Sequence, residues 1–301
     1  MRCLIHKAIF YIDVRCEIDP ESFVMKVRAQ KEIKKGEEIT TRYLGPWEGQ
    51  PGRQIKIQKN WQFICNCLRC QDPSDLATYF SAIKCKNCSV TFQKNENCDI
   101  YNSDLDSEPV AKCGYLLPIN PQVLGSPWKC QSCDTIVTVT EIDDMLQKTE
   151  KMADSMKSEI LRCLNKDLSE SVQSIESVVN KLHELLHPNH FLVFQFKKWV
   201  LKLPLSAIAP SSNKISFLEL QMRFHSAIMK IVDTLDPGLT LNRASHHKDI
   251  AQCRIQLSKQ KVFDKIEGYS KVQHMNQMKI AMSELKEVSA SFKYPEKIAR
   301  Q

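Results

Sequence analysis

No stretch of the 301 residues approaches the roughly 18 to 20 consecutive apolar residues that a membrane-spanning helix requires, so no membrane partner is expected. The opening residues Met1-Arg2-Cys3-Leu4-Ile5-His6-Lys7 offer no sustained apolar segment and no small-residue cleavage site, so an intracellular protein, cytoplasmic or nuclear, is expected. Charge of one sign is not concentrated either. The formal +7 divides into about +3 for residues 1–75, −1 for 76–140 and +5 for 141–301. A nucleic-acid binder gathers Lys and Arg into one stripe with stacking aromatics; here the excess reads as solvated surface, and nucleic acid is not an expected partner. Glycine is missing between Gly125 and Gly238, and seven of the eight histidines fall after residue 180. What the first half has instead is cysteine, eleven of the thirteen falling within residues 1–133. The chain is chemically two halves, and its length suits at least two domains.

Residues 1–60 read as short strands and turns, with Ile9-Phe10-Tyr11-Ile12 and Phe23-Val24-Met25-Lys26-Val27 as β-rich runs and Gly36, Gly45, Pro46, Gly49, Pro51 and Gly52 as punctuation. Residues 65–140 are rich in Cys, Pro and Asn and contain one convincing β run, Thr135 to Thr140. With so little apolar periodicity this stretch needs another stabiliser, and metal is the natural one. After residue 140 the pattern turns helical. Ile142, Met145, Leu146, Ala153, Met156, Ile160, Leu164 and Leu168 follow a 3.6-residue repeat, as do Ile175, Val178, Val179, Leu182, Leu185 and Leu186. Further faces come from Phe217, Leu220, Phe224, Ile228, Ile231, Val232 and Leu235, and from Met278, Met282, Leu285 and Phe292. Pro188, Pro204, Pro210 and Pro237-Gly238 fall between these segments, where a helix must stop. Five to seven antiparallel helices are expected, stacked in pairs as a tetratricopeptide-like array without a strict 34-residue repeat.

The sharpest local signal is Cys65-Asn66-Cys67-Leu68-Arg69-Cys70. Three thiolates within six residues cannot pair among themselves without leaving one over, but they suit three corners of a tetrahedral zinc site, with Cys3 or Cys16 as candidate fourth ligand. The second constellation pairs Cys85-Lys86-Asn87-Cys88 with Cys130-Gln131-Ser132-Cys133, two C-x2-C knuckles in the manner of a zinc ribbon. Four thiolates close the coordination shell and leave no place for water or substrate, so its role reads as structural. Cys98 or Cys113 is an alternative for one of these ligands, and Cys163 and Cys253 read as helix-core residues. One or two structural zinc ions are expected.

Val27-Arg28-Ala29, Ile33-Lys34-Lys35-Gly36-Glu37-Glu38-Ile39 and Tyr43, followed by Phe63 and the C-x-C-x2-C cluster, resemble the C-terminal end of a SET domain and its post-SET element, as found in the SET and MYND (SMYD) family. Cys85 to Cys133, with Leu116-Leu117-Pro118 and Trp128-Lys129-Cys130, resembles the cysteine-rich insertion of SmydA-type members. His187-Pro188-Asn189-His190 and Leu235-Asp236-Pro237-Gly238 resemble helix junctions in that family's C-terminal domain. The resemblance implies an α+β protein in four parts: a SET remnant at 1–60, a post-SET zinc cluster at 61–75, a ribbon-like insertion at 76–140 and a tetratricopeptide-like helical domain at 141–301. It implies transfer of a methyl group from S-adenosylmethionine to a lysine of a protein or peptide substrate. In such a site Tyr43 orients the amine and Phe63 lies near the cofactor's adenine and the channel wall.

The family's glycine-bearing cofactor loop, its Asn-His-x-Cys motif and its MYND finger have no counterpart in the sequence, and Asn189-His190 falls at a helix break, where it reads as capping or packing. Two expectations follow: the C-terminal portion of a longer methyltransferase, or a non-catalytic interaction module whose helical domain holds a peptide.

Overall fold

The short β-prone runs pair locally. In the computed structural model, which describes residues 14–29, 32–37, 39, 42–88, 114–164, 168–203, 214–238 and 240–298, β1 (Val14–Ile18) and β2 (Met25–Ala29) form an antiparallel hairpin with Cys16 opposite Val27 and Ile18 opposite Met25. The Asp19 carboxylate accepts from the Glu21 and Ser22 N–H groups at 3.0 Å and closes the turn. The run read at Ile9–Ile12 lies outside the described residues.

Helix α1 (Gln50–Trp61) departs from the strands and turns expected there. Pro51 and Gly52 occupy its first turn, where the N–H that proline lacks would have no helical partner in any case, so they start the helix rather than break it. Its buried side, Gln50, Arg53, Gln54 and Ile57, is mostly polar, so polar contacts rather than an apolar stripe seat it. Gly49, just before it, lies against Phe191: a Cβ there would come within 2.6 Å of the ring. The single-turn helix α2 (Leu68–Gln71) follows within the cysteine cluster.

A four-stranded antiparallel sheet comes next, in the order β3 (Ile83–Lys84), β4 (Tyr115–Pro118), β5 (Trp128–Cys130), β6 (Ile136–Val137). Strand β6 is shorter than the Thr135–Thr140 run because Thr138 starts a helix instead. Its N–H donates to Glu141 Oε2 at 3.0 Å, and the Glu141 N–H donates to Thr138 Oγ1 at 3.4 Å, a reciprocal capping box. Cys98 and Cys113 lie outside the described residues.

Six helices follow among the described residues: α3 (Val139–Leu164), α4 (Leu168–Leu185), α5 (Phe191–Leu201), α6 (Lys214–Leu235), α7 (Leu241–Phe263) and α8 (Lys271–Ile298). Leu168, read as the end of the first repeat, opens α4 instead. Pro188 separates α4 from α5, and Pro237-Gly238 separates α6 from α7, as expected; Pro204 and Pro210 are outside the described residues. Most neighbours in sequence are neighbours in space, α7 and α8 most extensively. One apolar cluster joins the sheet, through Ile83, Leu116 and Trp128, to Ile142, Ile160, Leu182, Phe196 and Phe217 of the helices, so the two halves share a core. A second gathers Phe80, Phe194, Ile228, Val232 and Leu235 around Trp47. Met282 and Leu285 face solvent, and the buried side of α8 is marked by Ala281. Cys253 is buried, whereas Cys163 is only half-buried. His190 caps α5, its Nδ1 accepting from the Leu192 N–H at 3.2 Å, while Asn189 Nδ2 donates to the Thr78 carbonyl at 3.1 Å, so this pair does cap and pack.

Candidate metal centres and the aromatic cluster beside them

The two C-x2-C knuckles converge. All four sulfurs of Cys85, Cys88, Cys130 and Cys133 lie within 4.8 Å of one another, with Cys85 Sγ 3.7 Å from Cys133 Sγ and Cys88 Sγ 3.7 Å from Cys130 Sγ. A Zn–S bond of about 2.3 Å in a tetrahedron requires an S···S edge of about 3.8 Å, whereas a disulfide would need about 2.05 Å. The geometry fits a zinc ion. The ladder sets it up: the Cys85 N–H donates to the Gly114 carbonyl and the Cys130 N–H to the Thr135 carbonyl, both at 2.9 Å, and the Ser132 N–H donates to Cys130 Sγ at 3.3 Å. Gly114 is required by space. A Cβ on it would sit 2.4 Å from Cys130 Sγ and 2.7 Å from Cys88 Sγ. The hydrogen bond with the Thr135 hydroxyl, aided by the Thr135 backbone, pulls the Cys133 thiol down to about 6, while burial pushes Cys88 up to about 12.

The second cluster lies where α1 meets α2. Cys65, Cys67 and Cys70 are buried, and their sulfurs also lie within 4.8 Å of one another. Cys67 caps α2, its carbonyl accepting from the Cys70 and Gln71 N–H groups at 2.9 and 3.0 Å. Gln54 of α1 grips Cys65 on both sides, donating from Nε2 to its carbonyl at 3.0 Å and accepting its N–H at 3.3 Å; Gln122, before β5, donates to the same carbonyl at 3.1 Å. Hydrogen bonds with the Cys65 and Cys70 thiols pull the Cys67 thiol well below the ordinary thiol range. Three corners of a tetrahedron are in place. For the fourth, Cys3 lies outside the described residues, and Cys16 is described in its backbone only.

Tyr43 and Phe63, far apart in sequence, meet at this cluster. Their rings are 5.3 Å apart at 68°, Tyr43 also packs edge-on to Trp61 at 5.1 Å, and both Tyr43 and Phe63 lean on Ile57 and the three cysteines. The cavity beside Tyr43 measures about 40 Å³, against about 300 Å³ or more for a small-molecule pocket. The described residues beside Tyr43 enclose too little space for a molecule the size of S-adenosylmethionine.

A buried ion-pair network around Asp75 escapes sequence reading. Its Oδ1 is 2.6 Å from Arg53 Nη2 and 3.0 Å from Arg69 Nε, and its Oδ2 accepts from Ser81 Oγ at 2.9 Å. Arg69 donates further to the Pro46 and Glu48 carbonyls, and Arg53 to the latter. Nothing local announces it, because its members come from three separate segments; only the burial of two arginines beside thiols signals it.

No family model matches the chain. The SET domain-containing protein SmydA-8, isoform A, of Drosophila melanogaster is 29% identical over 110 residues, which is 36% of this chain and 19% of that protein. The histone-lysine N-methyltransferase SET5 of Meyerozyma guilliermondii is 42% identical over 60 residues, 20% of this chain and 12% of that protein. SET5 of Candida glabrata is 42% identical over 64 residues, 21% and 12% of the respective lengths. The chain thus spans a fifth or less of the length of these relatives, and its similarity is to SET-domain proteins and lysine methyltransferases. No helix among the described residues is long and apolar enough to cross a membrane.

Proposed function

We propose that the chain is the C-terminal part of a SMYD-like, S-adenosylmethionine-dependent protein-lysine N-methyltransferase, divided functionally at residues 60, 75 and 140. The observation that supports this reading is the packing of Tyr43 and Phe63 against each other and against the buried cluster that Ile57 forms with Cys65, Cys67 and Cys70. In the assembled site the Tyr43 hydroxyl orients the lysine amine and Phe63 forms the wall toward the methyl donor, within an apolar channel that excludes water. The remaining walls come from polypeptide outside the described residues. Zinc holds the two cysteine clusters together without entering the chemistry. Calorimetric titration of S-adenosylmethionine tests this: weak or no binding is expected for the present chain and clear binding for a version extended at its N-terminus, and no binding by the extended form would contradict it.

A second reading, a zinc-stabilised interaction module with a tetratricopeptide-like peptide-binding domain, is supported by a cleft of about 380 Å³ between the 45–48 segment and α5. Trp47, Phe194, Trp199, Lys198 and Lys202 line it. Under this reading a protein partner recovered by pull-down survives Tyr43→Phe and is lost on Trp199→Ala; under the first reading, Tyr43→Phe abolishes methyl transfer by the extended protein.

A further inference from the structure

The Arg53 guanidinium has no role in the ribbon or in the helical core, yet it is buried, with only 4% of the residue exposed. Nη1 donates to the Glu48 carbonyl at 2.9 Å and Nη2 makes an ion-pair contact with Asp75 Oδ1 at 2.6 Å, while Nε has no hydrogen-bond partner among the described residues. Arg53 shares the walls of one small cavity with Cys67 and Cys70. The next residue, Gln54, holds both backbone polar groups of Cys65. Helix α1 therefore meets the cysteine cluster twice, once mechanically and once electrically.

Charge explains why a guanidinium is buried here. Three thiolates and one divalent ion carry a net −1, or −2 with a fourth thiolate, and a net charge kept out of water is costly unless balanced. Of the neighbouring groups, Arg53 and Arg69 bring two positive charges and Asp75 one negative, a net +1 that offsets one unit of it. Asp75 is occupied on both oxygens, so it fixes the two arginines without drawing either away. A lysine at 53 keeps the charge but not the fork that reaches Glu48 and Asp75 together.

We propose that Arg53, oriented by Asp75, is the charge-balancing outer partner of the Cys65–Cys67–Cys70 centre and sets its affinity for a thiophilic divalent metal. This rests on the reading of that cluster as a zinc site. It makes Arg53 a positioning residue, acting through the ligands rather than on substrate.

The test is competition for zinc between the full chain and a chromophoric chelator, for the unaltered protein, Arg53→Met and Arg53→Lys, with the ribbon site as internal reference. The expected result is two zinc sites in the unaltered chain, with one weakened about 10- to 100-fold by Arg53→Met and less by Arg53→Lys, the ribbon site being unchanged. With cobalt(II) in place of zinc, the thiolate-to-metal charge-transfer band of the weakened site moves to lower energy, because its sulfurs have lost a positive neighbour. Equal affinities in Arg53→Met and the unaltered chain would overturn the role of Arg53. If Arg53→Met loses both sites through unfolding, the comparison passes to Arg53→Gln, which keeps polar contacts without the charge and where equal affinity overturns it likewise. A single site in the unaltered chain, abolished by Cys88→Ser, would instead sink the zinc reading of the Cys65 cluster.

Discussion

Arg42 Nη1 donates to Asp236 Oδ1 at 2.8 Å, joining the residue beside Tyr43 to the turn that ends α6. Asp236 is fully buried, and its other oxygen accepts from Thr240 Oγ1, the N-cap of α7, at 2.7 Å. The Leu235-Asp236-Pro237-Gly238 junction thus ends one helix, starts the next and anchors the segment that carries Tyr43. Removing the charge of one partner in such a buried pair costs about 3 kcal/mol. Asp236→Asn is expected to lower stability by about that amount in urea denaturation, and an unchanged midpoint would show that the pair does not anchor the segment.

The turn after the Cys65 cluster carries its own strain. Asp75, Leu76, Ala77 and Tyr79 all have left-handed φ, between 55° and 61°, a conformation that costs an L-residue roughly 1 kcal/mol or more. Ala77 is exposed and loses no packing on truncation. Ala77→Gly is therefore expected to raise stability by about 1 kcal/mol, measured by the same denaturation, whereas glycine in a relaxed turn would lower it.

The contrast between these sites shows which parts of the molecule its sequence reveals. Ligand spacing is local, so both cysteine clusters were readable from C-x-C-x2-C and the paired C-x2-C knuckles. Apolar period is local too, and it announced α3, α4 and α6; α5 and α7 were given no face, and Met282 and Leu285 of the face read for α8 are exposed. Helix α1 was hidden because Pro51 and Gly52 look like turn residues and its buried face is polar. The Asp75 network and the Arg42–Asp236 pair were invisible because ion pairs as distant in sequence as Arg53–Asp75 and Arg42–Asp236 leave no periodic trace. The meeting of Tyr43 with Phe63 was suggested by resemblance alone; the ring contact itself is a fact of the fold.

Gly114 tests the ribbon centre alone. A methyl group there would overlap the Cys130 and Cys88 sulfurs. Gly114→Ala is expected to remove about one equivalent of zinc per chain, leaving the Cys65 centre loaded, by metal analysis after gel filtration. Full retention of both equivalents would mean that the four thiols do not share an ion.

Acid should act through the histidines at the α4–α5 corner. Burial, with Lys84 and Lys197 adding to it at His183 and His187, lowers His183 to about 4 and His187 and His190 to about 3. An unfolded histidine titrates near 6.5, so between about pH 6.5 and 4 the unfolded chain binds protons that the folded chain refuses, and stability falls as pH falls. The penalty is on the order of 1 kcal/mol per histidine by pH 5. Thermal unfolding should show Tm dropping over that window, with the three imidazoles still neutral by NMR at pH 5; imidazolium signals in the folded protein at pH 6 would contradict this.

Zinc content of the purified, reduced chain bears on the central claim most directly. Two thiolate centres predict about two zinc ions per chain, retained through gel filtration and released together with loss of folded structure on chelation. A folded chain that holds no zinc, with all its thiols free to react, would contradict the account.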